Sequence, residues 1–316
     1  MRFSVIIPLF NKAPYVAKAI DSVLSQTFTD YELVIVDDGS KDGSVDVAAK
    51  TIEGQKNCRL IRQENSGVSM ARNNGVAVSQ GESLCFLDAD DWWEPTFLEE
   101  MDKLVSEFPE AGIFGANYTI VNEKRHKTRV ASVGVSPGFE KGYIDYCQVY
   151  AKTMYMPLWT GAVCVPRIVF DEMHGFPQGI KLGEDFMLWI RIAIKYKVAF
   201  LNKPLSNYNQ DVDGANRGVG RLHDPKSHML WNMEFLADEE KSNPDLKQLL
   251  DNLRTFSLMP YLLSNDYQEA ARHELDKVDW TKQPERVTRL YHQPLFLLRA
   301  KQAMNRIGAT IKAVIR

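Results

Sequence analysis

Five aspartates close two wholly apolar runs, Leu33-Val34-Ile35-Val36-Asp37-Asp38-Gly39-Ser40 and Leu84-Cys85-Phe86-Leu87-Asp88-Ala89-Asp90-Asp91. Carboxylates packed so closely repel one another unless a cation or hydrogen-bond donors compensate them. For Asp88, Asp90 and Asp91 the natural compensator is a hard divalent ion with oxygen ligands, Mg²⁺ or Mn²⁺, which keeps coordination positions open for phosphate oxygens. Asp91 could alternatively cap the helix that Pro95 opens, but that leaves Asp88 and Asp90 unexplained. Asp37-Asp38-Gly39-Ser40 is also an ordinary turn sequence, since Gly39 permits a tight reversal. A third acidic site, Gly183-Glu184-Asp185, precedes the amphipathic stretch Phe186 to Ala193. Acids there complement a helix dipole, and one that faces a substrate hydroxyl can also take its proton.

These side chains need a scaffold that gathers them. The run Ser4-Val5-Ile6-Ile7-Pro8-Leu9-Phe10 ends in Asn11, and the three apolar runs read as buried parallel strands that deliver polar residues to their carboxyl edge. Between the first two, Val16, Ala19, Ile20, Val23 and Leu24 recur at helical spacing after Pro14. Helices are expected at about 45–51 and 69–78, with a strand at 59–62 between them. A helix carrying Phe97, Leu98, Met101, Leu104 and Val105 follows Pro95, and Gly112 to Asn117 returns as a strand. Alternating elements of these lengths predict an α/β fold, a doubly wound, mostly parallel sheet flanked by helices, over residues 1–220. From 118 to about 155 the pattern weakens into a polar, loop-like insert. Thr160 to Val165 restores order, and Asp185 to Lys195 reads as a helix. Residues 221–316 carry helical patterns at 227–239, 245–263 and 266–278, a helical C-terminal appendage.

Length and composition narrow the class. A chain of 316 residues with 45% hydrophobic content can bury a substantial core, and a net charge of −3 gives no case for nucleic acid as a partner. Cys58, Cys85, Cys147 and Cys164 are widely spaced and form no zinc-ligand pattern, which suggests buried thiols in a reducing compartment. The apolar stretch at the N-terminus contains Pro8 and runs straight into the first motif, so it reads as a strand and not a signal. No segment approaches the roughly 20 apolar residues of a membrane span. A cytoplasmic protein is the expectation, with a place at the inner face of the membrane left open.

The three runs in this order, with Asp-Ala-Asp-Asp closing the set, resemble the inverting nucleotide-sugar glycosyltransferases of family 2, which have the GT-A fold. The resemblance covers roughly the first two hundred residues. It implies that Asp38 holds the base of the nucleotide, that Pro8, Leu9 and Asn11 form the opposite wall, that Asp88 faces the sugar-nucleotide, ribose side and that Asp90 meets the metal, a role that Asp91 could share. Gly67-Val68-Ser69-Met70-Ala71-Arg72-Asn73 resembles the family's Gly-x-x-x-Ala-Arg-Asn helix, placing Arg72 at the nucleotide. His174-Gly175-Phe176 with Glu184-Asp185-x-x-Leu-Trp-x-Arg resembles the acceptor-side motif, whose aspartate is the general base, here Asp185. His174 stands where the family commonly has a small residue, a departure that bears on the local turn.

Other residues are less marked. Trp159, Thr160 and Glu184 are candidates for the wall around donor sugar and acceptor, although Trp159 would serve equally as core packing. His223, near Arg217 and Arg221, lies where family members close a segment over the diphosphate, and it is a candidate for the metal shell. The last segment, from Leu295 to Arg316, has an apolar side and carries Arg299, Lys301, Arg306, Lys312 and Arg316 without an acid. Such a helix fits a membrane-surface anchor or an appendage helix with a solvated basic face. The resemblance implies a uridine diphosphate sugar as donor and a saccharide or lipid-linked acceptor in surface polysaccharide synthesis. The alternative of a different class is a catalytically silent sugar-nucleotide-binding or scaffold protein. Retention of both Asp-x-Asp and Asp185 argues against it.

Overall fold

The computed structural model describes residues 1–212 and 221–300. The chain divides into two compact units, one from Met1 to Met229 and one from Leu230 onward. The first unit begins with β1 (Phe3–Leu9), α1 (Val16–Leu24), β2 (Tyr31–Asp37), α2 (Ser44–Thr51), β3 (Cys58–Arg62), α3 (Val68–Val78) and β4 (Ser83–Phe86). It continues through β5 (Trp92–Trp93), α4 (Phe97–Glu107), β6 (Ala111–Asn122), β7 (Lys127–Val130), β8 (Lys141–Ile144), α5 (Tyr146–Thr153), β9 (Val163–Pro166), α6 (Arg167–Glu172), α7 (Glu184–Lys195) and β10 (Lys197–Asn209).

The described strands form one sheet in the order β3-β2-β1-β4-β9-β6-β10-β5, with β7 added on β6 and β8 on β10. β3, β2, β1 and β4 run parallel, whereas β9 lies antiparallel to both β4 and β6, so the sheet as a whole is mixed. β2 and β4 are buried along their whole length and β1 nearly so, as strands covered on both faces must be. The chain builds outward from β1 to β3 and then crosses back to β4 on the other side. That reversal opens a crevice at the carboxyl ends of β1, β2 and β4, where open α/β sheets hold ligands. Helix α3 lies directly on β1. A Cβ at Gly75 would stand 2.5 Å from Ile6 Cγ2, so no larger residue fits at that crossing.

Two expectations change. The segment after Asn117 is not loop-like: β6 extends to Asn122, and β7, β8 and α5 follow before Tyr155. Residues 227–239 are not one helix. Short 3-10 turns at Pro225–Ser227, Met229–Trp231 and Glu234–Leu236 precede α8 (Ala237–Ser242).

The second unit continues with α9 (Pro244–Ser257), α10 (Met259–Leu262), α11 (Gln268–Leu275) and α12 (Glu285–Tyr291). Asn243 caps α9, its side-chain oxygen accepting from the N–H groups of Asp245 and Leu246, each at 3.0 Å. No described helix is long and apolar enough to cross a membrane. Of the basic C-terminal segment, residues 301–316 lie outside the described residues. Before them Leu298 is buried while Phe296 and Leu297 are exposed, and Arg299 donates to Asn265 and Gln268.

Candidate active site

The side expected to face the donor is built from the loops after β1 and β2. The Asp38 carboxylate, 3% exposed, accepts from Gln63 Nε2 (2.7 Å) and Ser66 N–H (2.8 Å) through Oδ1 and from Gly67 N–H (2.9 Å) through Oδ2. Its backbone is fixed as well: its N–H donates to Leu9 O and its carbonyl accepts from Asn65 Nδ2. Asp37 is a turn residue, accepting the Ser40 N–H at 3.1 Å. Gly39, at φ 79°, allows that turn and sits so close to Asn65 that a Cβ would fall 3.1 Å from its nitrogen. Asn11 takes φ 51° and accepts the Lys41 N–H at 2.8 Å, which closes β1 against the same turn. Pro8 follows the last β1–β4 pair, Ile6 with Phe86, where the sheet opens beside Leu9.

The three carboxylates after β4 point to different partners. Asp88 accepts from Arg72 Nη2 at 2.8 Å. Asp90 Oδ2 lies 2.5 Å from Lys12 Nζ. Asp91, 2% exposed, accepts from Asn209 N–H at 2.8 Å and from Trp159 Nε1 at 3.3 Å. Burial pushes the Asp90 carboxyl upward, with Lys12 opposing and Asp88 reinforcing the shift. Asp91 is pushed well above the usual carboxylate range by burial and by the charges of Asp90 and Asp88. Asp91 thereby ties the end of β10 and the Trp159 ring to the Asp-x-Asp loop.

The Ala-Arg-Asn segment of α3 joins the two halves. Ala71 is fully buried. Arg72, with a side chain only 4% exposed, reaches Asp88 with Nη2 and Glu184 Oε1 with Nη1 (3.0 Å), and lies over the Phe176 ring. Burial opposes its charge, but Asp88 and Glu184 more than restore it. Both terminal nitrogens of Arg72 thus pair with carboxylates, linking the acid after β4 to the first residue of α7. Asn73 pairs with the backbone of Phe176, donating to its carbonyl at 2.9 Å and accepting its N–H at 3.0 Å.

On the side expected to face the acceptor, α7 starts with Glu184 and Asp185. Thr160 Oγ1 donates to Asp185 Oδ2 at 2.8 Å, and the Phe186 N–H donates to Oδ1 at 2.7 Å. Glu184 is pushed up to about 7 by burial first and then by Asp185, with Arg72 pulling the other way. Arg191, on the inner side of α7, donates to the carbonyls of Met173 and Gly175. That turn accommodates His174 at φ 59°, so the departure from the family pattern is absorbed in the backbone. Trp159 stacks against Tyr118 (centroids 5.4 Å apart) and Tyr208 (4.3 Å), which makes it part of an aromatic wall next to Thr160.

His223 stands in a segment whose end pairs with the residues before α7: Lys181 N–H donates to Ser227 O and Met229 N–H to Leu182 O. The neighbouring His228 is pushed down to about 4, its own burial being the first cause. Among the described residues, no three His, Cys, Asp or Glu side chains are gathered to hold a metal. Sequence reasoning missed Lys12, Gln63, Asn73, Tyr118 and Tyr208. Lys12 follows Asn11, and Asn73 closes the Ala-Arg-Asn motif without being given a role there, while Gln63, Tyr118 and Tyr208 carried no signal.

Residues 4–156 match the family model described as glycosyl transferase family 2. An uncharacterised glycosyltransferase, alr2836 of Nostoc sp. (strain PCC 7120), is 43% identical over 259 residues, which cover 81% of this chain and 76% of that protein. Glycosyltransferase GlyA of Streptococcus pneumoniae serotype 4 is 33% identical over 215 residues, 66% of this chain but 30% of GlyA. With GlyA and two Rickettsia relatives the match spans 30%, 35% and 35% of their length, so this chain corresponds to about a third of each. Among solved structures, residues 1–349 of Staphylococcus aureus TarS in complex with UDP-GlcNAc align at TM-score 0.72 and 19% identity, covering 91% of this chain and 83% of that one. The mannosyltransferase PcManGT of Pyrobaculum calidifontis, in complex with GDP-Man and Mn²⁺, aligns at TM-score 0.57 and 19% identity, covering 99% and 87%. The chain belongs to glycosyl transferase family 2, and it has the GT-A fold.

Proposed function

We propose that this protein is an inverting glycosyltransferase that moves a sugar from a nucleoside diphosphate, a uridine one, to an acceptor hydroxyl, with Mg²⁺ or Mn²⁺ as cofactor. The observation that carries this reading is the pair of links made by Arg72 and Thr160. Arg72 joins Asp88 to Glu184, and Thr160 fixes Asp185 beside it, so donor-side and acceptor-side acids share one crevice. In this reading Asp38 receives the base, Asp88 the ribose side, and Asp185 the proton of the acceptor hydroxyl as it attacks the anomeric carbon in line, which inverts the centre in one displacement. Asp185 suits that task because Thr160 and the Phe186 N–H orient its oxygens.

The residues fit a divalent ion of the kind that uses few protein ligands. Asp90 already holds a cationic group in Lys12, and Mg²⁺ is commonly bound by one or two carboxylates with substrate phosphates and water completing its shell. Such an ion would neutralise the diphosphate as it departs. The solved neighbours were captured with UDP-GlcNAc and with GDP-Man and Mn²⁺, which supports the donor class and the cofactor. The acceptor in this reading is a saccharide or lipid-linked saccharide of a surface polysaccharide, met at the cytoplasmic face of the membrane with contact through residues 295–316.

Asp185→Asn tests the assignment. It preserves size but cannot take a proton, so turnover should fall at least about a hundredfold while donor binding stays near normal. Collapse of donor affinity with turnover preserved would move the base to Glu184.

A further inference from the structure

Lys12 is anchored at both backbone groups. Its N–H donates to Ser44 Oγ at 2.8 Å, and its carbonyl accepts from Tyr15 and Val16 N–H at 2.9 and 3.0 Å, at the start of α1. From this fixed point the side chain crosses to the loop after β4 and sets Nζ 2.5 Å from Asp90 Oδ2, with the two side chains only 13% and 18% exposed. Lysine has a flexible, rotamer-rich side chain, and ordering it requires a partner that compensates. Asp90 is such a partner: it is half-buried, and Asp88 and Asp91 flank it in the chain, so like charge on either side of it favours a cation.

An ammonium and a divalent ion cannot occupy the same side of one carboxylate oxygen. A metal that takes Asp90 Oδ2 therefore displaces Lys12, and the ammonium stays tethered next to the place where the diphosphate must lie to meet that metal. We infer that Lys12 is a diphosphate-binding residue that serves as counter-cation to Asp90 until a divalent ion replaces it, and then pairs with phosphate oxygens of the donor. This role rests on the donor-site reading above.

The test uses the full chain with Lys12→Met, Lys12→Gln and Lys12→Arg. Mn²⁺ binding to nucleotide-free protein, read by the electron paramagnetic resonance of free Mn²⁺, should tighten at least about threefold in the Met and Gln variants because a competing cation is gone. In saturating Mn²⁺, calorimetric UDP affinity should fall about tenfold in those variants, the worth of one charge-assisted contact, while uridine, which has no phosphate, binds as before. Lys12→Arg keeps the charge and should hold UDP affinity within a few-fold of wild type. Mn²⁺ and UDP affinities unchanged in the Met and Gln variants overturn the role of Lys12 alone, as does an equal loss for uridine and UDP. A wild type that binds neither Mn²⁺ nor UDP overturns the donor-site reading, and this role with it.

Discussion

The hydroxyl of Thr160 donates to Asp185 across 2.8 Å, linking the turn before β9 to the first turn of α7. Thr160 is 2% exposed, so water does not replace that bond when it is removed. The contact sets the rotamer of the acid that the proposed reaction uses as its base.

Thr160→Val keeps the shape and deletes the donor. The expected loss of stability is about 1 kcal/mol, and kcat should fall about tenfold with the KM for donor little changed, because a misdirected base impairs proton removal more than donor binding. Thr160→Ser should recover most of the rate. Steady-state kinetics with denaturant melts of the three proteins separate this from a folding defect. A Val variant with wild-type kcat would show that Asp185 needs no orienting hydroxyl.

Glu184 provides a pH test. Its carboxyl is raised to about 7, burial being the first cause and Asp185 the second. Between the unfolded value of about 4.3 and the folded one the native state holds more protons than the unfolded chain, so stability from this group falls as pH rises through that window. Glu184→Gln removes the titration. Its melting temperature relative to wild type should therefore be higher at pH 8 than at pH 5. A difference that stays flat with pH would mean that Arg72 keeps Glu184 ionised throughout.

Much of the donor half could be read from the chain because β1, β2 and β4 are buried along nearly all their residues, and unbroken apolar runs are visible without knowing their neighbours. β10 was missed for the opposite reason. Its apolar pattern is broken at Asn202, Lys203 and Pro204, where the pairing with β6 shifts register. β7 is exposed along its length and β8 on alternate residues, so neither carries a clear apolar signal. The motifs gave the acids but not what holds them: the partner of Lys12 lies 78 residues away, and that of Asn73 lies 103 away. Nothing local encodes such pairs. Arg72 shows the same limit, since its motif does not reveal that its guanidinium pairs with Asp88 and Glu184, 16 and 112 residues away.

In the proposed reading Asp38 does two things at once, holding its loop and receiving the base, and a single substitution should expose both. Oδ1 accepts two donors and Oδ2 one, so of roughly four acceptor positions on a carboxylate one remains on Oδ2. A uracil imide N–H can use it, whereas cytosine has no hydrogen at that ring nitrogen. In the wild type UDP should therefore compete with donor much better than CDP. Asp38→Ala should narrow that gap and also loosen residues 63–67, because Gln63, Ser66 and Gly67 lose their acceptor. Water reaches Ser66 and Gly67, which are exposed, so the stability cost should be about 1–2 kcal/mol, near the low end for orphaned donors. Asp38→Asn keeps an acceptor for part of the loop, and it should regain stability before it regains uracil selectivity. Nucleotide competition and denaturant melts on the same two variants separate the roles. Equal competition by UDP and CDP in the wild type would leave Asp38 with the loop alone.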